Sequence, residues 1–233
     1  MCGRAYFTYT DAELEARYLT QKQHRHPLGE LKPIYNLCPT EQAPVILVKN
    51  GHRTIELLRW GLVPAWAKSI QEASKYNLIN ARGEEIAVKQ SFKEAFRQRR
   101  CLVPLSGFYE WHRIDPKTKT PFSISLTDGN IMSAAGIWES WHSRETGEIV
   151  ESFSIITIGS NSFMSKIHDR MPVIINPSDE DDWLNPEIKD IKTLQNFLRP
   201  CPSEWLKAYE VSTKVNSPKN KDIDLLQPVY ISK

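Results

Sequence analysis

The second residue of the chain is a cysteine, in the opening run Met1-Cys2-Gly3-Arg4. If Met1 is removed, Cys2 carries a free α-amine next to its thiol, a 1,2-aminothiol that no internal cysteine supplies. An α-amine has a pKa near ~7.7–8.0, against ~10.4 for lysine, so an appreciable fraction is neutral and nucleophilic at pH 7. Such an amine condenses with an aldehyde to an imine, and the thiol then closes a five-membered thiazolidine ring. Position alone does not separate this chemistry from a cysteine that is merely tolerated at a frayed chain end.

A polar wall is indicated by "LINARGEE", in which Asn80, Arg82 and Glu84 alternate. The period of two in a strand would place all three side chains on one face. The planar fork of arginine suits phosphate, although a solvated strand face with a surface ion pair is the simpler alternative. Arg4 is a cation close to Cys2 in the chain, and an adjacent cation favours the thiolate form of a cysteine.

Two further stretches contain groups suited to proton transfer. Glu110 lies among three aromatic residues in "SGFYEWH", and desolvation by these rings would favour the protonated carboxyl group. An edge-strand carboxylate that faces water is the alternative. His168 and Asp169 precede an apolar strand in "IHDRMPVII". Histidine carries protons near neutrality, and Asp169 or another carboxylate could fix its tautomer.

The stretch "RWGLVPAWAK" indicates a contact with bases. Trp66 follows Pro64 on what is predicted to be a loop, with Lys68 after it, and such a tryptophan could stack on an unpaired base. The chain has seven tryptophans, however, and most of them are expected in the core.

Composition excludes several classes of protein. With 233 residues the chain is expected to form one domain, residues 1–233. Its 30 Lys and Arg against 28 Asp and Glu argue against binding to nucleic acid by bulk charge, but a local basic cleft stays open. No run approaches the ~20 apolar residues that span a bilayer, and no secretory leader is seen. The four cysteines form no CxxC pair, so we expect no metal site, no disulfide scaffold and a reducing, cytoplasmic compartment; they are Cys2, Cys38, Cys101 and Cys201.

Strands are predicted to outnumber helices. Short apolar runs rich in β-branched and aromatic residues indicate strands: "RAYFTY", "PVILV", "TIELLRWGLV", "CLVPLSGFYEW", "PFSISL", "IMSAAGIW", "SFSIITIG" and "MPVII". Capping boxes at Thr10–Glu13 and Ser91–Glu94 predict two helices, and a serine N-cap in "PSDEDDWL" predicts a third. Loops are predicted at 66–77, 112–120 and 213–222. Because strands and helices do not alternate, we expect an α+β fold, a single mainly-β, barrel-like domain with a few peripheral helices.

Seven motifs in order resemble one family. "MCGR", "YNLCP", "WGLVPAWAK", "NARGE", "SGFYEW", "HDRMPVII" and "VSTKVNSPKN" are similar to the motifs of the SOS-response-associated peptidase (SRAP) family, the abasic-site processing proteins. The resemblance runs from Cys2 to about Pro228. It implies a protein, expected to be a monomer without cofactor, that binds single-stranded DNA, or a single- to double-strand junction, carrying an abasic site. The ring-opened sugar aldehyde would then be trapped as a thiazolidine, with self-removal of the leading residue and a lyase-like reaction as accompanying activities.

The resemblance also implies residue roles. Cys2 corresponds to the nucleophile, Asn80 to the residue that orients its amine, and Glu110 to the acid/base for sugar opening and dehydration. His168 corresponds to the group that assists imine formation and reversal. DNA contacts are implied by resemblance at Arg4, Arg82 and Arg170 (phosphates), Trp66 and Pro39 (packing at the lesion), and Thr157 (pocket lining).

Two positions depart from the family pattern. Cys38 stands where alanine is usual, which puts a second thiol near the expected pocket. Ala67 stands where some members have a second tryptophan, which weakens the expected stacking surface.

Two other functions fit parts of the sequence. Glutaminase domains also begin with Met-Cys-Gly, so Cys2 could act in an N-terminal-nucleophile amidohydrolase with its own amine as base; ammonia release from glutamine would show it. A non-catalytic single-strand binder would use only the tryptophans and arginines, and its complexes would all be reversed by salt.

Overall fold

The computed structural model of the chain describes residues 2–18, 31–113, 115 and 118–229. In these ranges the strands are β1 (Ala5–Phe7), β2 (Ile34–Leu37), β3 (Gln42–Lys49), β4 (His52–Trp60), β5 (Asn80–Arg82), β6 (Arg100–Leu105), β7 (Gly107–Arg113), β8 (Lys119–Leu126), β9 (Met132–His142), β10 (Ile149–Gly159), β11 (Arg170–Pro172) and β12 (Leu206–Glu210). The α-helices are α1 (Asp11–Tyr18), α2 (Ile70–Ser74), α3 (Lys93–Gln98), α4 (Glu180–Leu184) and α5 (Ile191–Gln195). Short 3₁₀ turns lie at Met164–Lys166, Pro177–Asp179, Ser203–Trp205, Thr213–Asn216 and Ile223–Leu226.

A closed five-stranded barrel forms the centre of the fold. Strand β10 pairs with β4 in parallel and with β9 antiparallel, so the path β10-β4-β3-β6-β9 closes on itself. Strands β5 and β11 also pair with β10. A second sheet of five strands has the order β12-β8-β7-β1-β2. The prediction of a mainly-β, barrel-like α+β fold with a few short helices is therefore confirmed.

The run "CLVPLSGFYEW" forms two strands that belong to different sheets. Strand β6 pairs within the barrel, whereas β7 pairs with β1 and β8 in the second sheet. Ser106, between the two strands, accepts a hydrogen bond from the backbone N–H of Thr8 (2.9 Å) through its hydroxyl. The chain thereby passes from barrel to second sheet and delivers Glu110 to the side of β1, next to the N-terminal segment.

Only one of the two predicted capping boxes is present. Thr10 Oγ1 accepts from the Glu13 backbone N–H (3.3 Å) and Glu13 Oε2 accepts from the Thr10 N–H (2.7 Å), as predicted. The Ser91–Glu94 prediction is wrong, because α3 has Phe92 at its N-cap without a side-chain hydrogen bond. Backbone carbonyls of the preceding turn bind those N–H groups instead, as in the bonds from the Phe92 and Lys93 N–H groups to Lys89.

The other helix starts also differ from prediction. The serine in "PSDEDDWL" is not a cap: Asn176 caps the 3₁₀ turn before α4 and accepts from the Ser178 N–H (3.1 Å). The predicted loop 66–77 contains α2, which begins with an N-cap serine that sequence analysis missed. There Ser69 Oγ accepts from the Glu72 N–H (3.1 Å) and Glu72 accepts from the Lys68 N–H (2.7 Å).

The two remaining predicted loops are present, the first of them shorter than predicted. Strand β7 ends at Arg113 and β8 begins at Lys119, with His112 paired to Thr120. The hairpin connection is therefore 114–118, shorter by two residues at each end than the predicted loop 112–120, and residues 114, 116 and 117 of it lie outside the described ranges. The segment 213–222 is irregular apart from its 3₁₀ turn. None of the described helices combines the length and hydrophobicity needed to cross a bilayer.

Gly107 is a position where β1 and β7 approach too closely for a side chain. A Cβ there would collide with the Tyr6 ring and the Ile124 carbonyl, and the Tyr6 hydroxyl is itself bonded to Ser123 (2.9 Å). Overpacking of this kind costs ~1–3 kcal/mol or more, so we expect Gly107→Ala to lower the free energy of unfolding by about 3 kcal/mol in urea denaturation.

The matched control for Gly107 is Gly159→Ala, because no atom lies within 4 Å of a Cβ built at Gly159. We expect its effect on the free energy of unfolding to stay within ~0.5 kcal/mol. Equal losses in the two variants would contradict the proposed close approach of β1 and β7.

Candidate active site

Three strand pairings bring the predicted catalytic residues to one place. Strand β1, which begins three residues after Cys2, pairs with β7 at Ala5↔Phe108, two residues before Glu110. Strand β5 places Asn80 beside β10 at Ile155. Strand β11 pairs with the end of β10 and carries the His168 turn at its start. Residues that are up to 166 positions apart in the chain thus become neighbours.

Asn80 holds the backbone of Cys2. Its Nδ2 donates to the Cys2 carbonyl oxygen at 2.7 Å, and the side chain is buried. The Oδ1 atom of the same amide is buried without a hydrogen-bond partner. A buried amide oxygen without a donor is costly, and this one belongs to the side chain that binds the Cys2 backbone.

The Cys2 thiol is held in its protonated form. Its side chain is fully buried, and burial first, then the nearby Glu110 carboxylate, raise the pKa of the Cys2 thiol far above its usual value. The Arg4 backbone lowers the pKa of the Cys2 thiol, but by less than burial and Glu110 raise it, so the expectation that Arg4 makes Cys2 a thiolate is wrong. The Arg4 guanidinium binds instead to Asn36 Oδ1 (2.8 Å) and the Val215 carbonyl (2.6 Å).

Glu110 and His168 form a pair beside Cys2. The Glu110 side chain is 5% exposed and its Oε1 lies 3.8 Å from His168 Nε2. The backbone N–H of Arg170 donates to His168 Nδ1 at 3.0 Å, which places the proton of the neutral ring on Nε2, facing Glu110.

Asp169 competes for the same nitrogen, since its Oδ1 lies 2.9 Å from His168 Nδ1. The Asp169 side chain is 87% exposed and free to rotate into solvent, whereas the Arg170 N–H is fixed by the backbone. The sequence-based expectation named Asp169 or another carboxylate for fixing the tautomer. In the structure the backbone N–H of Arg170 faces Nδ1, and the carboxylate that faces Nε2 is Glu110.

Arg170 is bonded within the protein. Its guanidinium makes two bonds to Glu84 (2.6 and 2.9 Å) and a third to the Thr157 carbonyl (2.7 Å). The Arg170 side chain lowers the pKa of Glu84 through these bonds, and Thr157 is fully buried. Arg170 would contact a phosphate only while it also keeps these hydrogen bonds. Its guanidinium is therefore mainly a fixed charge in the protein around the site.

Arg82 points into solvent. It follows Asn80 by two residues on β5, but strand pairing ends there and Glu84 lies in the turn beyond. The Arg82 side chain is 55% exposed and 4.0 Å from Glu85, a surface pair that contributes little. Its guanidinium is therefore available to an outside anion.

An exposed aromatic pair lies in the connection between β4 and β5. Trp66 is 43% and Tyr76 53% exposed, and their rings meet edge to face with centroids 5.5 Å apart. Ala67 is buried, and its carbonyl accepts from Trp141 Nε1 (2.7 Å), which anchors the loop. Pro39 is half-buried after β2. Sequence analysis missed Tyr76, for which the chain gives no local signal.

The four cysteines are buried and none forms a disulfide. Cys38 Sγ donates to the Asn36 carbonyl (3.4 Å) and lies 3.9 Å from Lys221 Nζ, and burial raises the pKa of its thiol. Cys38 Sγ and Lys221 Nζ both contact the backbone carbonyl of Asn36, whereas Arg4 binds the Asn36 side chain.

Comparison with known proteins shows which family the chain resembles over most of its length. The chain is 40% identical to the abasic site processing protein YoqW of Bacillus subtilis (strain 168) over 228 residues, 97% of this chain and 99% of that protein. It is 30% identical to the abasic site processing protein HMCES of Pongo abelii, over 84% of this chain and 65% of that one. A crystal structure of a protein from Bacteroides thetaiotaomicron superposes with a TM-score of 0.87 at 29% identity, covering 98% of this chain and 100% of that one.

The family model described as SOS response associated peptidase (SRAP) matches residues 1–218, which include Cys2, Asn80, Glu110 and His168. The chain therefore belongs to the SRAP family.

Proposed function

We propose that this protein captures abasic sites in single-stranded DNA by forming a thiazolidine between the sugar aldehyde and Cys2, after Met1 has been removed. The observation that carries the proposal is the hydrogen bond from Asn80 Nδ2 to the Cys2 carbonyl oxygen (2.7 Å), beside the Glu110–His168 pair. The names of the relatives support abasic DNA as the substrate.

The first step is opening of the deoxyribose ring. A base removes the proton of the anomeric hydroxyl while an acid protonates the ring oxygen, and the aldehyde forms without net change in composition. Glu110 suits this shuttle because its carboxyl group is buried and faces His168 Nε2. General acid–base catalysis of this kind contributes ~10²–10⁴-fold.

The second step is condensation. The free amine of Cys2 adds to the aldehyde carbon, and the resulting carbinolamine loses water to give an imine. The unpartnered Asn80 Oδ1 would accept a hydrogen bond from the amine and aim its lone pair. The two protons lost by the amine nitrogen leave with the carbonyl oxygen as water, and the Nε2–H of His168 donates a hydrogen bond to the departing hydroxyl. The reverse of this step releases the sugar.

The third step is ring closure. The Cys2 sulfur bonds to the imine carbon, and the thiol proton ends on the nitrogen, so the whole sequence releases a single water molecule. Because the thiol starts protonated in its buried position, Glu110 would carry this proton. A strand break through the imine is the competing lyase-like outcome.

DNA would bind along the exposed groups around Cys2. Arg82 offers an exposed guanidinium to phosphate. The less exposed guanidinium groups of Arg4 and Arg170 add positive charge around the bound strand. Trp66 with Pro39 packs on the bases at the lesion. Tyr76 extends that stacking surface. We infer a monomer acting in the cytoplasm, where it would lie on the nucleoid when DNA-bound.

The N-terminus gives the direct test. Protein whose Met1 is removed, as checked by mass analysis, is expected to form a species with an abasic single-stranded oligonucleotide that survives a denaturing gel. Protein with an acetylated Cys2 amine is expected to form none, because an amide nitrogen does not condense with an aldehyde. Equal capture by the acetylated form would overturn the proposal, and ammonia release from glutamine would support the amidohydrolase instead. Self-removal of Met1 would appear as loss of Met1 during incubation of purified protein.

A further inference from the structure

The segment 213–221, "TKVNSPKNK", is fastened beside the candidate active site by one buried amide. Asn36 is fully buried on β2. Its Nδ2 donates to the carbonyls of Val215 (3.4 Å), Ser217 (3.1 Å) and Asn220 (2.8 Å). A single side chain thus fixes three points of an otherwise irregular segment that has no strand partner.

The same amide holds Arg4, two residues after Cys2. Asn36 Oδ1 accepts from Arg4 Nη1 (2.8 Å), which also donates to the Val215 carbonyl (2.6 Å). In the described part of the chain no carboxylate lies within 4 Å of the Arg4 guanidinium. All of its acceptors are neutral oxygens, so its positive charge is held in place without being cancelled.

Two lysines of the segment are also uncompensated. Lys214 and Lys219 are exposed, and neither forms an ion pair with a described carboxylate. Lys221 differs, because its Nζ lies 2.6 Å from Glu41 Oε1. Arg4 and the two lysines of the segment bonded to it therefore carry three uncompensated positive charges, in a chain whose net charge is only +2.

We propose that the segment 213–221 is a phosphate-binding wall for the DNA strand at Cys2, and that Asn36 is the positioning residue that holds this wall together with Arg4. The proposal rests on the proposed function for its ligand class, a single-stranded phosphodiester. One fixed guanidinium and two exposed ammonium groups would hold the strand through its phosphates without base contacts, so this side of the site is expected to be indifferent to sequence.

The test uses equilibrium binding of the full chain to a single-stranded oligonucleotide without an abasic site, across salt concentrations. Each phosphate contact contributes about 0.7 to the salt slope for single strands. Lys214→Ala with Lys219→Ala is therefore expected to reduce the slope by about 1.4 and the affinity at 0.1 M salt by roughly 10- to 25-fold. The matched control is Lys192→Ala with Lys207→Ala, two exposed lysines outside the segment, which is expected to leave the slope unchanged.

Asn36→Asp tests the positioning role. An aspartate still accepts from Arg4 but presents oxygen to the three carbonyls of the segment, and its charge cancels that of Arg4. We expect the salt slope to fall by about 2, and by only about 0.7 when the two lysines are already alanine. A residue with a merely structural role would lower the melting temperature and leave the salt slope of the folded protein unchanged.

The outcomes separate the two proposals. If the lysine variant kept the wild-type salt slope, the proposal that the segment 213–221 binds phosphate would be wrong, even if wild-type protein crosslinks normally. Failure of wild-type protein to crosslink would overturn the proposed function, while a reduced slope in the lysine variant would still support the phosphate contacts. Equal losses in the test and control lysine pairs would show a bulk charge effect and overturn the wall.

Discussion

Cys2→Ala is expected to reduce the yield of heat-stable protein–DNA adduct by more than ~100-fold. Alanine keeps the α-amine, so the imine still forms, but no sulfur is present to close the ring and the imine hydrolyses. Sodium borohydride, which reduces imines, should therefore restore a covalent species in the alanine variant. The buried position loses a single sulfur atom, for which a destabilisation of only ~1–2 kcal/mol is expected, so the fold persists.

Cys101→Ala provides the matched control. Cys101 is also fully buried and free, but it lies on β6 inside the barrel, where its backbone carbonyl accepts from Trp183 Nε1 (2.9 Å). Its loss should leave adduct formation intact. Heat-stable adduct in Cys2→Ala without borohydride would contradict the thiazolidine, and loss of adduct in both variants would point to general destabilisation.

Glu110→Gln is expected to slow capture by ~10²–10⁴-fold, the usual range for loss of a general acid–base group. Glutamine keeps the shape of the side chain but exchanges no protons. The variant also removes the carboxylate that helps to raise the pKa of the Cys2 thiol, so the thiol ionises more readily. If thiolate formation limited the reaction, Glu110→Gln would capture DNA faster than wild type. We expect it instead to be slower at every pH from 6 to 8. The measurement is the rate of single-turnover adduct formation.

The matched control for Glu110 is Glu151→Gln on β10, which removes a carboxylate 3.3 Å from Lys49 on the barrel surface. Its capture rate should equal that of wild type. Unchanged or faster capture in Glu110→Gln would exclude Glu110 as the proton carrier. His168 would then be the group to vary, because its Nε2 proton faces the same position.

Local patterns in the sequence predicted local structure well. The Thr10–Glu13 box and the apolar runs depend on residues within a few positions of each other, so their physics is visible in the chain. The Ser91–Glu94 box failed because backbone carbonyls from an irregular turn replaced the side-chain cap. The division of "CLVPLSGFYEW" between two sheets depends on pairing with β1 and β9, which no local pattern encodes.

The site was predicted by resemblance more than by residue physics. Asn80 reaches Cys2 across 78 positions, and the sequence alone gave its alternation with Arg82 but not its partner. The Arg170–Glu84 pair and the backbone donor to His168 were not foreseen, because each arises from how β11 meets β10. Asn36 was present in the motif "YNLCP", but Arg4 lies 32 positions away and the carbonyls that its amide binds lie 179–184 positions away.

Strand β1 has a neighbour on both sides, β2 and β7. DNA joined to Cys2 would thus be joined to a strand in the interior of a sheet and not to a loose tail. Trypsin could cut after Arg4 only once that strand had been pulled out, because the peptide bond there is covered by its neighbours. Proteolytic clearance of such a conjugate would accordingly be limited by how often this sheet opens.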